Sequence, residues 1–241
     1  MTVAVVVGGG SGIGAAVVER QRAQGVDVTV WDLDPEADGG SGIVCDIARP
    51  EQVAAAAEQT VATLGVPDLV TVTAGVGHAG MMIDAPAEDW DRVVGTNAKG
   101  VWLAMRELAA HMLDADGGSI VATSSVSGRL ADRSMGIYCA SKAALDMVIR
   151  VAALEWSPKI RVNGVAPGVT DTAMLGPVPR DRGWLRGVTD RTALGRLGTG
   201  DDVAEAVLAV HDMTWVVGEI IAADGGLSLH SPIDPTGTPP A

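Results

Sequence analysis

The chain has 241 residues, with 17 lysines and arginines against 30 aspartates and glutamates, which gives a formal charge of −13. At about 150 residues per domain this length predicts one or two domains, and it suffices for a buried core without disulfide or metal staples. The acidic balance argues against a nucleic-acid partner and against an anionic membrane surface, because both require clustered lysine and arginine.

Cysteine content and the N-terminal residues indicate the compartment. Cys45 and Cys139 are too few for a disulfide framework and have no metal-ligand spacing with any histidine, so no metal is expected. Residues 2–7 are apolar but too short for a signal peptide, and no run approaches the roughly 18 uncharged apolar residues of a membrane helix. We expect a reduced, cytoplasmic protein.

Short β-branched runs alternate with longer alanine-rich segments, a pattern typical of βαβ units around a buried parallel sheet. We therefore expect an α/β fold, a single-domain Rossmann-like doubly wound sheet of about seven parallel strands with helices on both faces, over residues 1–241. The predicted strands are 2–7, 26–31, 42–45, 68–73, 119–123, 160–165 and 218–222. The predicted helices are 12–24, 50–64, 88–113, 137–157 and 200–211.

Three segments break this alternation. Residues 34–41 are too polar and glycine-rich for a full crossover helix, so we expect a loop there. Residues 168–198 are rich in glycine, proline and arginine, which is typical of a lid or binding loop. The proline-rich tail at 230–241 is expected to be extended.

A glycine-rich turn at residues 8–15 follows the first strand and precedes an apolar helix. Glycines allow a tight turn and let helix N-terminal amides approach a pyrophosphate, although a turn of this kind can also serve only to pack a helix on a strand. Two registers fit, one with Gly8, Gly12 and Gly14 and the other with Gly10, Gly12 and Ala15.

Asp32 lies at the end of the second strand, eighteen residues after Gly14. A carboxylate there accepts hydrogen bonds from both ribose hydroxyls of an adenosine and repels a 2′-phosphate. No lysine or arginine lies in residues 8–15 or beside Asp32 to receive that phosphate. The sequence therefore favours NAD over NADP.

The only tyrosine, Tyr138, precedes Lys142 by four residues at the start of an alanine-rich helix, which places both on one helix face. A nearby ammonium favours the phenolate and would lower the pKa of the phenol from about 10, which suits a general acid and base. Ser124 and Ser125 end the fifth strand at the carboxyl edge of the sheet, where a hydroxyl can reach a substrate oxygen. Each feature alone also fits an ordinary surface pair or turn.

Together these residues resemble the short-chain dehydrogenase/reductase family, from about residue 3 to 228. The resemblance implies that Tyr138 transfers the substrate proton, Ser125 orients the substrate oxygen, and Lys142 holds the nicotinamide ribose and lowers the phenol pKa. It also implies that Asn97 anchors a water linking Lys142 to solvent. The implied cofactor-binding residues are Gly8, Ser11, Gly12, Ile13, Gly14, Asp32, Leu33, Cys45, Asp46, Ile47, Ala74, Gly75, Tyr138, Lys142, Pro167, Gly168, Thr170 and Thr172.

The chain departs from the family pattern at several places. Thr73 stands where the family usually has an asparagine that supports the sheet, and Thr170 replaces a customary valine or isoleucine whose backbone amide contacts the cofactor. The short segment at 34–41 suggests a more open adenine side. Asp224-Gly225-Gly226 resembles the family's terminal motif.

The implied reaction is reversible oxidation of a secondary alcohol with NAD. Met81, Met82, Met174, Leu175 and Trp184 suggest an apolar pocket for a hydrophobic or cyclic alcohol, built from residues 78–83, 126–133 and 168–198.

Three alternatives and one assembly prediction accompany this interpretation. The alternatives are a cis-dihydrodiol dehydrogenase, a 3-oxoacyl thioester reductase using a basic spot at Arg129 and Arg133, and a non-catalytic NAD(H) sensor. Helices 97–113 and 137–157 and the segment 200–228 resemble the family's subunit interfaces, so a homotetramer is expected.

Overall fold

The first strand shows how the sheet is built. Val3–Val7 (β1) is a run of five apolar residues, and all five side chains are buried, as in strands covered on both faces. The computed structural model describes residues 2–34, 36–175 and 182–229. Its other strands are Asp27–Asp32 (β2), Ile43–Val44 (β3), Leu69–Val72 (β4), Gly118–Thr123 (β5), Ile160–Pro167 (β6) and Ile220–Ala223 (β7).

All seven strands lie in one sheet in the order β3-β2-β1-β4-β5-β6-β7, and every neighbouring pair is parallel. The chain leaves β3 at one edge and returns beside β1 as β4, so the strand order reverses between β1 and β4. Ligands of open parallel sheets bind beyond the carboxyl ends of the strands at such a reversal. The predicted doubly wound sheet is confirmed.

Helices cover both faces of the sheet. They are Gly12–Ala23 (α1), Pro50–Leu64 (α2), Ala87–Val94 (α3), Val101–Asp114 (α4), Gly136–Trp156 (α5), Arg182–Thr189 (α6) and Gly200–Asp212 (α7). Side chains alternate along β1, so that Val6 packs with α1 and α7 while Val5 and Val7 pack on the other side with α2, α4 and α5. In the described part of the chain no helix combines the length and apolarity needed to cross a membrane.

Two predicted segments differ from the structure. The single helix predicted at 88–113 is divided by a π-helical segment, Gly95–Gly100, between α3 and α4. The loop predicted at 34–41 contains a 3₁₀ turn, Ala37–Gly40, in which Asp38 has a positive φ of 60°. An ion pair between Asp38 and Arg22 of α1 holds this turn against the helix.

The segment at 168–198 is less irregular than expected, because it contains α6 and a short 3₁₀ turn, Ala173–Leu175. Its two ends meet, since the amide of Asp171 donates to the carbonyl of Gly198 at 2.8 Å. Residues 176–181 and the predicted extended tail at 230–241 lie outside the described residues.

Candidate active site

The glycine turn after β1 is held by Thr73, which follows β4. The Thr73 hydroxyl donates to the carbonyl oxygens of Val7 and Gly8, at 3.0 and 2.9 Å. A Cβ added to Gly14 would lie 2.0 Å from the Gly8 oxygen, so only glycine fits there. Thr73 therefore supports the strand end, as expected for the residue in that position, and the turn leaves the first amides of α1 directed past the sheet edge.

Gly8 and Gly12 have positive φ angles of 82° and 54°, which favour glycine. A Cβ on Gly10 would lie 2.8 Å from the Asp32 carboxylate. Glycines of both registers considered above are thus needed by the backbone. Ser11 precedes α1 with an extended backbone, and Ile13 packs against the apolar layer beneath the helix.

Asp32 ends β2 beside this turn. Its Oδ2 accepts a hydrogen bond from the amide of Gly10 at 2.8 Å, and its Oδ1 accepts one from the amide of Asp34 at 3.2 Å. The next residue, Leu33, is 66% exposed. The carboxylate is therefore oriented by the backbone on both sides and lies at the edge where the first two strands end.

Residues 45–47 connect β3 to α2 beneath the same edge. The amide of Cys45 donates to the carbonyl of Asp32 at 2.8 Å, and burial, with a contribution from Asp46, raises the pKa of the Cys45 thiol to about 11. Ile47 is buried against Gly100. Cys45 is thus an unreactive core thiol, while this segment links the end of β2 to the π-helical segment.

Ser125 and Tyr138 are brought together by the end of β5 and the first turn of α5. Their hydroxyls are hydrogen-bonded, and Tyr138 is 9% exposed. Lys142 lies one turn further along α5, with its Nζ 5.8 Å from the centre of the Tyr138 ring and 2.9 Å from the carbonyl oxygen of Thr123, to which it donates. The predicted group of serine, tyrosine and lysine is therefore assembled at the carboxyl edge of the sheet.

Burial has the largest effect on the electrostatics of this group. Burial raises the pKa of Tyr138, with the hydrogen bond from Ser125 acting in the opposite direction and Asp132 adding to the increase. Burial also lowers the pKa of Lys142 to about 8, and the carboxylate of Asp146 opposes this. Desolvation of the phenol is thus the largest effect on its pKa in the protein alone, and the expected lowering by Lys142 stays a prediction.

Asn97 lies in the π-helical segment and is fully buried. Its Oδ1 accepts from the amide of Val76 at 2.8 Å, and its Nδ2 donates to the carbonyl of Val76 and to the hydroxyl of Ser141. π-helical segments often occur at functional sites. In this structure the side chain joins the loop after β4 to α5, beside Gly75, whose added Cβ would lie 3.7 Å from Lys142 Nζ. The predicted water relay remains untested.

The carboxyl ends of β6 and β7 lie on the other side of the candidate site from β2 and β3. An added Cβ on Gly168 would lie 2.9 Å from Asp224 Cα, and Asp224 itself accepts from the amides of Gly226 and Ser228. The terminal motif therefore packs on the segment that begins with Pro167. Thr172 lies over the glycine turn, 3.3 Å from the position of a Cβ on Gly12.

The predicted substrate loops lie close to one another. Met82 packs on Gly136, two residues before Tyr138, and the amide of Gly80 donates to the carbonyl of Ser134 at 2.8 Å. Met174 contacts Gly77. Met81, Met82 and Met174 are 44%, 65% and 48% exposed, so the loops beside the start of α5 carry exposed apolar surface.

Several residues of this site were not predicted from the sequence. They are the carbonyl of Thr123, the hydroxyl of Ser141 and the carboxylate of Asp146, which contact or act on Lys142 or Asn97. Asp146 lies four residues beyond Lys142, so the spacing that identified the tyrosine and lysine, extended by one turn, indicates it. The sequence carries no comparable indication for a backbone carbonyl.

Comparison with known proteins agrees with this geometry. A family model described as enoyl-(acyl carrier protein) reductase matches residues 7–228. The chain is 32% identical to 2-(S)-hydroxypropyl-CoM dehydrogenase 3 of Xanthobacter autotrophicus, over 94% of this chain and 96% of that protein. It is also 32% identical to cis-4-hydroxycyclohexanecarboxylate dehydrogenase of Sinomonas cyclohexanicum, over 93% and 95%.

A solved structure has a similar fold. Aldohexose dehydrogenase of Thermoplasma acidophilum superposes with a TM-score of 0.90 at 26% identity, covering 97% of this chain and 96% of that one. The matches extend over nearly the whole chain and include the strand ends that carry Asp32 and Ser125 and the first turn of α5, which carries Tyr138. The chain belongs to the short-chain dehydrogenase/reductase family of oxidoreductases, whose members bind a nicotinamide cofactor.

Proposed function

We propose that the protein is an NAD-dependent dehydrogenase that interconverts a hydrophobic or cyclic secondary alcohol and its ketone, with Tyr138 as the general acid and base. The observation that carries this proposal is the buried hydrogen bond between Ser125 and Tyr138, with Lys142 one helical turn away. A phenol, a hydroxyl and an ammonium at the carboxyl edge of a parallel sheet form a proton-transfer site.

The residues present fit a nicotinamide cofactor. Asp32 offers carboxylate oxygens at the end of β2, and the N-terminus of α1 offers backbone amides for a pyrophosphate. The Lys142 ammonium has three N–H donors and, within the described residues, donates one of them to Thr123. Its other donors suit ribose hydroxyls. When bound, such a cofactor supplies the carbon that accepts or gives up hydride.

The proton steps follow from the environment of Tyr138. Because burial raises the pKa of the phenol, it is protonated at neutral pH and can donate to the oxygen of a ketone while Ser125 donates to the same oxygen. In the reverse direction the phenol must first lose its proton. We therefore expect ketone reduction to dominate at neutral pH and alcohol oxidation to accelerate as the pH rises.

The charges beside the glycine turn support NAD over NADP. A cavity of about 380 Å³ is lined there by Glu19, Arg22 and Asp38 together with the backbone of Gly9 and Gly10. The Arg22 guanidinium is bound by the Asp38 carboxylate, and Asp32 adds a second negative charge at the same edge. A 2′-phosphate would meet a net negative charge there.

An apolar substrate is supported by the methionines around the approach to Tyr138. Both relatives described above are named for the oxidation of a hydroxyl group, one of them on a cyclohexane ring. A cis-dihydrodiol is therefore a natural second substrate class, since it presents a secondary alcohol on a ring to the same phenol.

The acyl-carrier alternative is less well supported. Arg129 donates to the carbonyl of Ile220 and faces Asp146, so one half of the basic spot at Arg129 and Arg133 is engaged within the subunit. The description of the matching family model, which names a reductase of an acyl-carrier-linked substrate, favours this alternative. A non-catalytic sensor would need the glycine turn but not the Ser125–Tyr138 pair.

The test is nicotinamide absorbance with NAD and with NADP over a panel of apolar secondary alcohols, cyclic diols, 3-oxoacyl thioesters and the matching ketones. The wild type is compared with Tyr138→Phe, which keeps the ring and removes the hydroxyl. We expect turnover with NAD by the wild type, and in the variant a loss of at least about a hundredfold with cofactor binding retained.

Each other outcome identifies an alternative. Turnover confined to thioesters with NADPH would support the acyl-carrier reading, and NADH binding without turnover by either protein would support the sensor. Equal turnover by the two proteins would contradict the role of Tyr138.

We also propose a reducing, cytoplasmic location and a homotetramer. Cys45 and Cys139 are both free thiols, and neither has a disulfide partner within the described residues.

A further inference from the structure

Residues 123, 124 and 125, at the end of β5, each form a hydrogen bond with a different residue of α5, and the three α5 residues lie on one face of the helix. Ser125 is hydrogen-bonded to Tyr138, and the carbonyl of Thr123 accepts from Lys142. Between them, the hydroxyl of Ser124 donates to Asp146 Oδ1 at 2.5 Å. The helix residues recur every four positions, so they form one row along α5.

Asp146 is the member of this row that the proton-transfer chemistry does not use. It is only 3% exposed, although a buried carboxylate is costly unless it is paired and hydrogen-bonded. Besides Ser124, its Oδ2 lies 4.0 Å from Arg129 Nε, and Gly128 passes so close that an added Cβ would be 3.2 Å from the same oxygen. The carboxylate thus joins the strand end, the turn after it and the helix.

We propose that Asp146 is a positioning residue of the active site, which fixes the turn bearing Ser125 against α5 and supplies the negative charge that keeps Lys142 an ammonium. Its catalytic consequence rests on the proposed function, but its effect on Lys142 does not.

The charge matters because Lys142 is buried. Burial lowers the pKa of this lysine to about 8, and Asp146 acts against that decrease. The other charged or titratable groups around the row are Arg129 and Asp132, from the segment between β5 and α5, and Tyr138 and Cys139 of α5. Arg129 lies 4.0 Å from the Asp146 carboxylate and partly neutralises it. Without Asp146, the lysine would lose its proton within the working pH range and with it the charge that faces the cofactor ribose.

The first experiment titrates Lys142 directly, in the protein without cofactor or substrate. The chain has only three lysines, so the side-chain carbon resonances of ¹³C-labelled lysine are few, and Lys99→Arg and Lys159→Arg assign them. In Asp146→Asn, which keeps the size and an acceptor for Ser124, we expect the midpoint of Lys142 to fall by about one pH unit or more. Asp146→Glu should restore it.

A matched variant separates the two parts of the role. Ser124→Ala removes the hydrogen bond but leaves the charge, so the Lys142 midpoint should stay in place while kcat falls about tenfold because Ser125 is less well held. In Asp146→Asn kcat should fall further as the pH rises, since the lysine deprotonates earlier. A purely structural role would lower kcat equally at every pH.

The proposal is overturned if folded Asp146→Asn titrates Lys142 at the wild-type midpoint, or if Ser124→Ala retains full activity. Should the asparagine variant fail to fold, Arg129→Gln gives the test on a more exposed residue. Removing that cation strengthens the effect of Asp146, so the Lys142 midpoint must rise, and an unchanged midpoint counts against the proposal. If the enzyme turns over no alcohol, the proposed function is wrong. The titration then still tests whether Asp146 keeps Lys142 protonated, because it needs no substrate.

Discussion

At the scale of single residues, the Asp32 carboxylate binds two backbone amides and lies where we propose that the adenosine ribose binds. Its oxygens accept from the amides of Gly10 and Asp34, and they stand where an adenosine ribose would lie. We expect Asp32→Ser to lower kcat/KM with NAD by about 10- to 100-fold, as expected for loss of hydrogen bonds to a charged group, and to raise the ratio of NADP to NAD turnover. Steady-state kinetics with both cofactors measure this.

The control is Asp34→Ser, two residues further along the chain. Asp34 is an exposed carboxylate whose Oδ1 accepts from the amide of Glu36, so its removal changes the net charge equally without touching the glycine turn. If both variants shift the cofactor ratio to the same extent, general charge and not the position of Asp32 determines the preference.

Gln21 is an unsatisfied polar residue in the core. It is 1% exposed on α1, and neither its Oε1 nor its Nε2 has a hydrogen-bond partner among the described residues. An unpaired buried amide costs about 1–3 kcal/mol, so Gln21→Met, which has a similar shape, should raise the free energy of unfolding by about that amount. Denaturant unfolding monitored by circular dichroism gives the difference.

Asn163, on β6, offers the opposite case. It is also fully buried, but its Nδ2 donates to the carbonyl of Val216 and its Oδ1 accepts from the amide of Glu219. Asn163→Leu should therefore destabilise the protein. A loss of stability in Gln21→Met as large as in Asn163→Leu would show that Gln21 is satisfied in solution.

At the scale of elements, His211 ties α7 to two strands. Its Nε2 is 2.9 Å from the Thr71 hydroxyl of β4, and its Nδ1 is 3.0 Å from the Ser119 hydroxyl of β5. Burial, with a contribution from Arg161, lowers its pKa from 6.5 to about 3. The folded state therefore resists protonation, and the stability present above pH 6.5 is lost as the pH falls toward 3, at about 1.4 kcal/mol per pH unit.

The measurement is the free energy of unfolding between about pH 7 and pH 4 for the wild type and His211→Gln. Glutamine cannot titrate, so the acidic slope should flatten in this variant, although its stability at neutral pH will be lower. An unchanged slope in His211→Gln would assign the acid sensitivity to other groups.

Local pattern predicts elements well where one physical requirement dominates. Buried parallel strands need continuous β-branched runs, and the run Val3–Val7 was identified for that reason. The sequence pattern does not distinguish the π-helical segment at Gly95–Gly100 from the α-helices around it, because its residues keep a helical pattern. The altered helical winding accompanies hydrogen bonds from Asn97 to Val76 and Ser141, which are distant from it in the sequence.

The same distinction applies to the site. Tyr138 and Lys142 were found because their contact follows from helix geometry. The increase in the pKa of the Tyr138 phenol could not be predicted in this way. It depends on how completely the folded chain buries Tyr138, which no local spacing reveals. Asp38 and Arg22 likewise meet only because the turn after β2 folds back on α1.

At the scale of the whole molecule, α5 carries an apolar stripe on its outer side. Met147, Val151 and Leu154 are 56%, 44% and 81% exposed and follow helical spacing, and Trp102 of α4 is also partly exposed. Neighbouring exposed apolar side chains on one helix face indicate an interface. Since helices 97–113 and 137–157 resemble the family's subunit interface, we predict that this stripe meets its own copy across a two-fold axis in a tetramer.

Val151→Glu tests this assembly, because in the predicted tetramer it places a buried charge opposite its own symmetry mate. Sedimentation velocity should show tetramer for the wild type and a smaller species for the variant, with circular dichroism unchanged. Val44→Glu is the matched control, since Val44 is a similarly exposed valine on the edge strand β3, away from both helices, and should leave the assembly intact. A wild-type monomer, or a Val151→Glu tetramer, would contradict the prediction, and the apolar stripe would then have to be covered by a different partner.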